Sequence, residues 1–286
     1  MESTCTIALL GQPNAGKSTL FNGLTGARQH VGNWPGKTVE QKEGYFKKEG
    51  VSYTVVDLPG SYSLSANSDE EIVTRDYIAS GKADVVCILA DASQLERSLF
   101  MLADYTGIQV PTVLLLNMMD VAKTRGKEVN CAALEKELGI PVLPFIAANR
   151  KEYSPLYAVL QRKDRKNWIL RDSRLKNLYE KEFGETYQKI SRLLPEQGIG
   201  VYSSSWLITK LIEQDPVAHS MVRESVSKEQ LAEVDMLCNS ISDGSLHTGD
   251  CKFQWIDSIL SGNVTGKSSR PKMGRFDKIA TSKVWG

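Results

Sequence analysis

An α/β fold with a mostly parallel sheet, followed by an all-helical domain, is predicted by three features of this 286-residue chain. Short apolar runs alternate with helical patterns through the first half, a glycine-rich turn joins the first run to the first helix, and beyond about residue 167 helical stripes replace strand signals. In chain order, TCTIALL (4–10) ends at Gly11, and STLFNGLTG follows the turn as a helix. Further strands are expected at 51–56 (VSYTVV), 85–90 (VVCILA), 110–116 (VPTVLLL) and 142–146 (VLPFI), with helices near 69–80, 95–106 and 131–139. Continuous apolar strands of this kind are buried on both faces, and ligands of such sheets gather at the strands' carboxyl ends.

The bulk composition excludes several classes. Thirty-five basic and 34 acidic residues leave a net charge of +1, too little for a global field that captures nucleic acid. Five scattered cysteines without a C-x-x-C pair read as reduced thiols rather than disulfides or a zinc knuckle. His30, His219 and His247 share no ligand spacing with them, so no cluster of these residues is expected to hold a transition metal. The start MESTCTIALL lacks a basic leader region, and no stretch approaches the ~18 apolar residues of a membrane span.

Three motifs fall on the ends of expected strands. GQPNAGKST (11–19) fits G-x-x-x-x-G-K-[ST]. Asp57-Leu58-Pro59-Gly60 follows VSYTVV, and Asn117-Met118-Met119-Asp120 follows VPTVLLL. Either tetrapeptide alone is ordinary turn chemistry, whereas all three in order specify a P-loop (Ras-like) GTPase. Gly11, Asn14, Ala15, Gly16 and Thr19 belong to the loop whose backbone N–H groups wrap the α- and β-phosphates at a helix N-terminus. Lys17 supplies a charge between the β- and γ-phosphates, and Ser18 offers its hydroxyl to Mg2+. Asp57 would hold a water of that ion, and the Gly60 N–H would touch the γ-phosphate, so residues 58–68 sense whether it is present. Thr38, in VGNWPGKTVE, is the candidate second hydroxyl for Mg2+. Asp120 can accept from the N1–H and exocyclic amine of guanine, while Asn117 donates to O6 and braces the P-loop. Adenine presents the opposite pattern, so a correctly placed Asp120 selects GTP over ATP.

GQPNAGKSTLFNGLTGARQHVGNWPGKTVEQKEG, DLPGSYSL, DASQLERSL and NMMD together resemble the GTPase domain of the FeoB ferrous iron transporters, and RFDKIATSKVWG is similar to the stretch entering that family's first membrane helix. The resemblance implies a GTPase (G) domain at 1–166, a helical GDI-like domain at 167–262 and a basic juxtamembrane tail at 263–286. It further implies the cytosolic part of a larger membrane protein, on the cytoplasmic side of a bacterial inner membrane. There GTP/GDP and Mg2+ would be cofactors, and the partners would be the protein's own membrane domain and small regulators of iron uptake, with oligomers possible and no nucleic acid.

Two departures bear on mechanism. Where Ras-like enzymes carry a water-orienting glutamine, this chain has Ser61 and then Tyr62, so intrinsic hydrolysis should be slow. P-loops with asparagine at the place of Asn14 resemble those of potassium-stimulated GTPases, which implies K+ held by Asn14 with carbonyls near Gly32 to Trp34. The last guanine loop, Ser-Ala in relatives, is Ile146-Ala147 or Ala147-Ala148 here, with loss of a shaping hydrogen bond and fast GDP release as the expected result.

Beyond 167, Leu175, Leu178, Tyr179, Phe183, Tyr187, Ile190, Leu193 and Leu194 recur at helical spacing. Asp215-Pro216 reads as an N-cap with proline at N1, and Ser227 to Gln230 as a capping box. Gly262 to Ser268 imitates a P-loop but follows a helix with its glycines too close, so no cradle is expected. Two other functions stay open on sequence grounds: an RNA- or ribosome-associated potassium-dependent GTPase, and a GTP-dependent switch with negligible hydrolysis.

Overall fold

The computed structural model describes residues 3–26, 28–66 and 68–266. The basic residues expected to form a juxtamembrane tail from Lys267 onward lie outside them, as does the end of the P-loop imitation.

The first half is a seven-stranded sheet. Its strands are β1 (Ser3–Gly11), β2 (Gln29–Asn33), β3 (Glu40–Lys48), β4 (Val51–Asp57), β5 (Val85–Asp91), β6 (Thr112–Asn117) and, after the two-residue β7 (Glu128–Val129), β8 (Val142–Pro144). Their order is β2-β3-β4-β1-β5-β6-β8, and the five from β4 to β8 run parallel. Helices α1 (Lys17–Thr25), α2 (Asp69–Ala79), α3 (Leu95–Tyr105), α4 (Met119–Thr124), α5 (Cys131–Leu138) and α6 (Ser154–Leu160) connect them. β1 lies centrally because both of its faces are apolar, with Ile7, Ala8, Leu9 and Leu10 at 1% exposure or less. The carboxyl ends of β1, β4, β6 and β8 deliver the motif loops to one edge of the sheet.

The hairpin β2–β3 has no counterpart among the strands expected from sequence. It is an antiparallel extension of the sheet edge, and its residues EQKEGYFKK are largely solvated, so the apolar signal that marks the buried strands is missing. The expected strand at 110–116 begins at Thr112 and ends at Asn117, since Pro111 has no N–H for the ladder.

The second half is α7 (Ser173–Leu193), α8 (Ser204–Ile212), α9 (Pro216–Arg223), α10 (Lys228–Asn239) and α11 (Gly244–Leu260), closed by β9 (Val264–Thr265). The stripe on α7 faces inward, with Leu175, Tyr179, Tyr187 and Ile190 buried. Its helix breaks at Gly184, whose φ of 50° no continuous α-helix admits. Asp215 caps α9 by accepting from the Ala218 N–H, and Ser227 with Gln230 forms the capping box of α10. β9 pairs antiparallel with β7, so residues 264–265 are clipped to the first half.

The two halves share a buried polar seam, with α11 packed on α3. Asp104 of α3 accepts from Lys210 at 2.6 Å and from Lys252 at 2.8 Å, and both lysines also bond Glu213. Arg75 of α2 reaches Asp215 at 2.6 Å with both side chains at most 2% exposed. Among the described residues no helix is long and apolar enough to cross a membrane.

Candidate functional site

The loop after β1 turns through Asn14 (φ 66°) and Gly16 (φ 98°) into the N-terminus of α1. Gly16 is required twice: its backbone is left-handed, and a Cβ there would collide with the Asn117 amide. Lys17 is buried at the first position of α1, and Ser18 and Thr19 are exposed beside it. Asn14 stands exposed on the crest of the loop.

Asp57 ends β4, adjacent to β1, which brings its carboxylate to the P-loop. Ser18 Oγ donates to Asp57 Oδ2 across 3.4 Å, and Asp57 Oδ1 is buried with no partner. Burial pushes the Asp57 carboxyl up, a trend opposed by Lys17, and burial likewise pulls the Lys17 ammonium down, opposed by Asp57. An orphaned carboxylate oxygen beside a hydroxyl is a donor set of the hard, all-oxygen kind that suits Mg2+ with its own waters. Gly60 runs close over this pair: a Cβ on it would lie 3.2 Å from Lys17 Nζ and 3.3 Å from Pro13 N. Ser61 is buried and its hydroxyl has no partner, whereas Tyr62 is half exposed and lies under the Arg97 guanidinium at 4.9 Å. Thr38 is exposed ahead of β3 and makes no hydrogen bond to Ser18 or Asp57 among the described residues. Gly32 sits in β2, paired with Gln41, and Trp34 follows it, edge-on to Tyr77.

The base-side residues are joined to the P-loop by one side chain. Asn117, 3% exposed at the end of β6, donates from Nδ2 to the Ala15 carbonyl at 2.8 Å and accepts at Oδ1 from the Ala147 N–H at 2.8 Å. Met118 then adopts a left-handed backbone (φ 61°) that starts α4 and leaves Asp120 exposed in its first turn. Ala147 is buried with its N–H held by Asn117, and Ala148 is exposed, its N–H making no hydrogen bond among the described residues. The loops after β1, β6 and β8 are therefore tied together through the Asn117 side chain.

Several contributors stand at positions that no motif specifies. Gln12 donates from its side chain to the Arg97 carbonyl at 2.7 Å, tying the P-loop to α3. The Leu64 N–H donates to Asp104 at 2.5 Å and the Ala66 N–H to Asp215 at 3.0 Å, so the segment after Gly60 is held by the seam between the halves. These partners stand 40 and 149 residues apart in the chain, and no local pattern links them. The stretch DASQLERSL, already notable in the sequence, was the one available pointer to Arg97. Among the described residues no group of three or more His, Cys, Asp or Glu side chains is placed to hold a metal ion.

Comparison with known proteins gives a consistent picture. The family model described as ferrous iron transport protein B matches residues 5–160, and that of the FeoB cytosolic helical domain matches residues 179–265. The Fe(2+) transporter FeoB of Shigella flexneri is 35% identical over 289 residues, and its counterpart in Escherichia coli K12 is equally similar. Each alignment takes in 98% of this chain and 36% of the relative, so the chain spans about a third of their length. Among solved structures, the cytosolic domain of the T. maritima FeoB iron transporter in a GDP form superposes with a TM-score of 0.75 at 29% identity, covering 92% of this chain and all of that one. Its GMPPNP form gives 0.73 at 28% identity, over 91% and 99%. A GDP-bound mutant of the S. thermophilus FeoB G-domain gives 0.74 at 29% identity, over 91% and 100%. With a P-loop GTPase fold, its helical partner and these matches in agreement, the chain belongs to the ferrous iron transport protein B family, as its G domain joined to the cytosolic helical domain.

Proposed function

We propose that this chain binds GTP, hydrolyses it slowly, and passes its nucleotide state to a membrane part that moves ferrous iron. The observation that carries the reading is the Asn117 side chain, which links the P-loop carbonyl of Ala15 to the last guanine loop at Ala147 and so makes base and phosphate recognition one event. Relatives solved with GDP or GMPPNP support the nucleotide, and relatives named as Fe(2+) transporters support the cargo.

In this reading Gly11, Asn14, Ala15, Gly16, Lys17, Ser18 and Thr19 hold the phosphates, Gly60 reads the γ-phosphate, and Asn117, Met118, Asp120, Ala147 and Ala148 surround guanine. Ser18 and Asp57, with Thr38 from the loop before β3, would hold Mg2+, which when bound neutralises charge on the β- and γ-phosphates. Asn14 and the backbone of Gly32 and Trp34 would hold K+, where an arginine finger would otherwise place its charge. Burial pulls the Lys17 ammonium down, and the Asp57 carboxylate beside it opposes that shift. The domain limits 1–166, 167–262 and 263–286, small regulatory proteins and an oligomeric intact transporter belong to the same proposal.

Ser61 favours a second reading, a switch with negligible hydrolysis, because its short hydroxyl is buried and unpartnered rather than poised over an open water site. Calorimetry with GTP and ATP, followed by single-turnover hydrolysis in KCl and in NaCl, tests both. The proposal expects GTP-selective binding and faster turnover in K+. Equal binding of the two nucleotides sinks it, turnover that ignores the cation removes K+, and an absence of turnover in both salts leaves the switch.

A further inference from the structure

Tyr153 precedes α6 and is 1% exposed, yet it belongs to no nucleotide-binding motif. Its ring packs on Phe145 with centroids 5.1 Å apart, and its hydroxyl donates to the Ala147 carbonyl at 2.6 Å. On the far side it leans on α1 at Gly23, where any Cβ would strike the phenol oxygen. The neighbouring turn is also fastened to α1, by Arg150 donating to the Asn22 carbonyl at 3.0 Å. Desolvation raises the phenol to about 12, offset in part by Arg150, so the group stays a donor at any working pH.

The bond matters because of what shares a plane with its acceptor. A trans peptide holds its C=O and the following N–H rigid and pointing opposite ways. The carbonyl gripped by Tyr153 belongs to the peptide whose N–H is that of Ala148. With the Ala147 carbonyl drawn to the buried Tyr153 and the Ala147 N–H already held by Asn117, planarity turns the Ala148 N–H the opposite way, and Ala148 itself is exposed.

We infer that Tyr153 is a positioning residue for guanine recognition: by holding the Ala147 carbonyl it aims the Ala148 N–H at the O6 acceptor of the base. Four groups form one hydrogen-bonded run, Tyr153 to Ala147 to Asn117 to Ala15, so the base loop and the P-loop are set together. The inference rests on the guanine-nucleotide reading of the pocket.

The test compares release of GDP with release of 2-aminopurine riboside diphosphate, which lacks O6, by stopped flow on the wild-type chain and on Tyr153→Phe. The expected result is GDP release about five- to tenfold faster in the variant, as for loss of one buried hydrogen bond, with release of the O6-less analogue unchanged. Gly23→Ala supplies an independent variant, since its methyl group displaces the phenol from the other side and should reproduce the pattern should Tyr153→Phe fail to fold. Equal acceleration of both nucleotides would mean a merely structural role and overturns the inference, as does unchanged release of both. A wild-type chain that binds no GDP overturns the pocket reading and this inference with it, whereas wild-type binding with unaltered variants overturns only the inference.

Discussion

Exchanging Asp120 for asparagine replaces one of two acceptor oxygens by a donor, which no longer matches the N1–H and exocyclic amine of guanine but does match the C2 carbonyl of xanthine. Asp120→Asn should therefore weaken GTP about 10- to 100-fold and bring in xanthosine triphosphate, as measured by calorimetry. A variant that loses both nucleotides would show that the side chain supports the fold rather than selecting the base. Asp120, Asn117, Lys17 and Asp57 were all legible in the sequence because each stands within a few residues of its motif partners on a strand end. Tyr153 was not. A tyrosine ahead of a short helix reads as ordinary core, and its hydroxyl acquires meaning only when Ala147 and Gly23 are folded against it.

Helix α2 follows the DLPG turn and buries Arg75 on its inward face, a guanidinium at 1% exposure. Its Nη1 meets Asp215 at 2.6 Å, and the guanidinium lies over the Trp206 ring at 4.9 Å. Removing one member of a buried pair leaves the other charge uncompensated, so Arg75→Met should cost about 3–5 kcal/mol in urea unfolding. A change below about 1 kcal/mol would mean that the pair is already relaxed by water. The sequence identifies Asp215 as the cap of α9, and that role stands, with the Ala218 N–H on Oδ1 at 2.8 Å. Its second oxygen serves Arg75 and the Ala66 N–H, 140 and 149 residues away, a pairing beyond the reach of any window read along the chain. The edge hairpin β2–β3 escaped for a different reason: solvated polar strands lack the apolar periodicity from which strands are recognised.

Asp104, Glu213, Lys210 and Lys252 join the two halves through a balanced set of two carboxylates and two ammonium groups. Burial alone would raise Asp104, but Lys210 and Lys252 outweigh it and hold the carboxyl far below the usual range; Glu213 is lowered against burial by the same lysines. Burial would lower Lys252, yet Asp104 and Glu213 raise it well above the ordinary lysine value. For a carboxylate depressed in the folded state, the stabilisation is complete above its unfolded value near about 4 and disappears as pH falls through the folded one. For a lysine raised in the folded state, it is complete below its unfolded value of about 10.4 and disappears as pH rises further. The seam should therefore hold unchanged from about pH 9 to 5 and weaken only in acid below about pH 4. Urea midpoints of the wild-type chain and Asp104→Asn, taken across that range, should differ by a constant amount down to pH 5 and converge below pH 4. Convergence already between pH 7 and 5 would exclude the network as the source.

What could be read along the chain is whatever depends on neighbours in sequence: apolar runs that must be buried, caps, and turn motifs at strand ends, since these are governed by backbone geometry within a few residues. That was enough for the fold class and for the motif residues that the structure gathers at one edge of the sheet. The placement of Leu64 and Ala66 on the seam, the clip of β9 onto β7, and the grip of Tyr153 on Ala147 arise from packing between elements far apart in the chain. Such contacts are settled by which buried polar groups find partners once the core has closed, because an unpaired one is costly there.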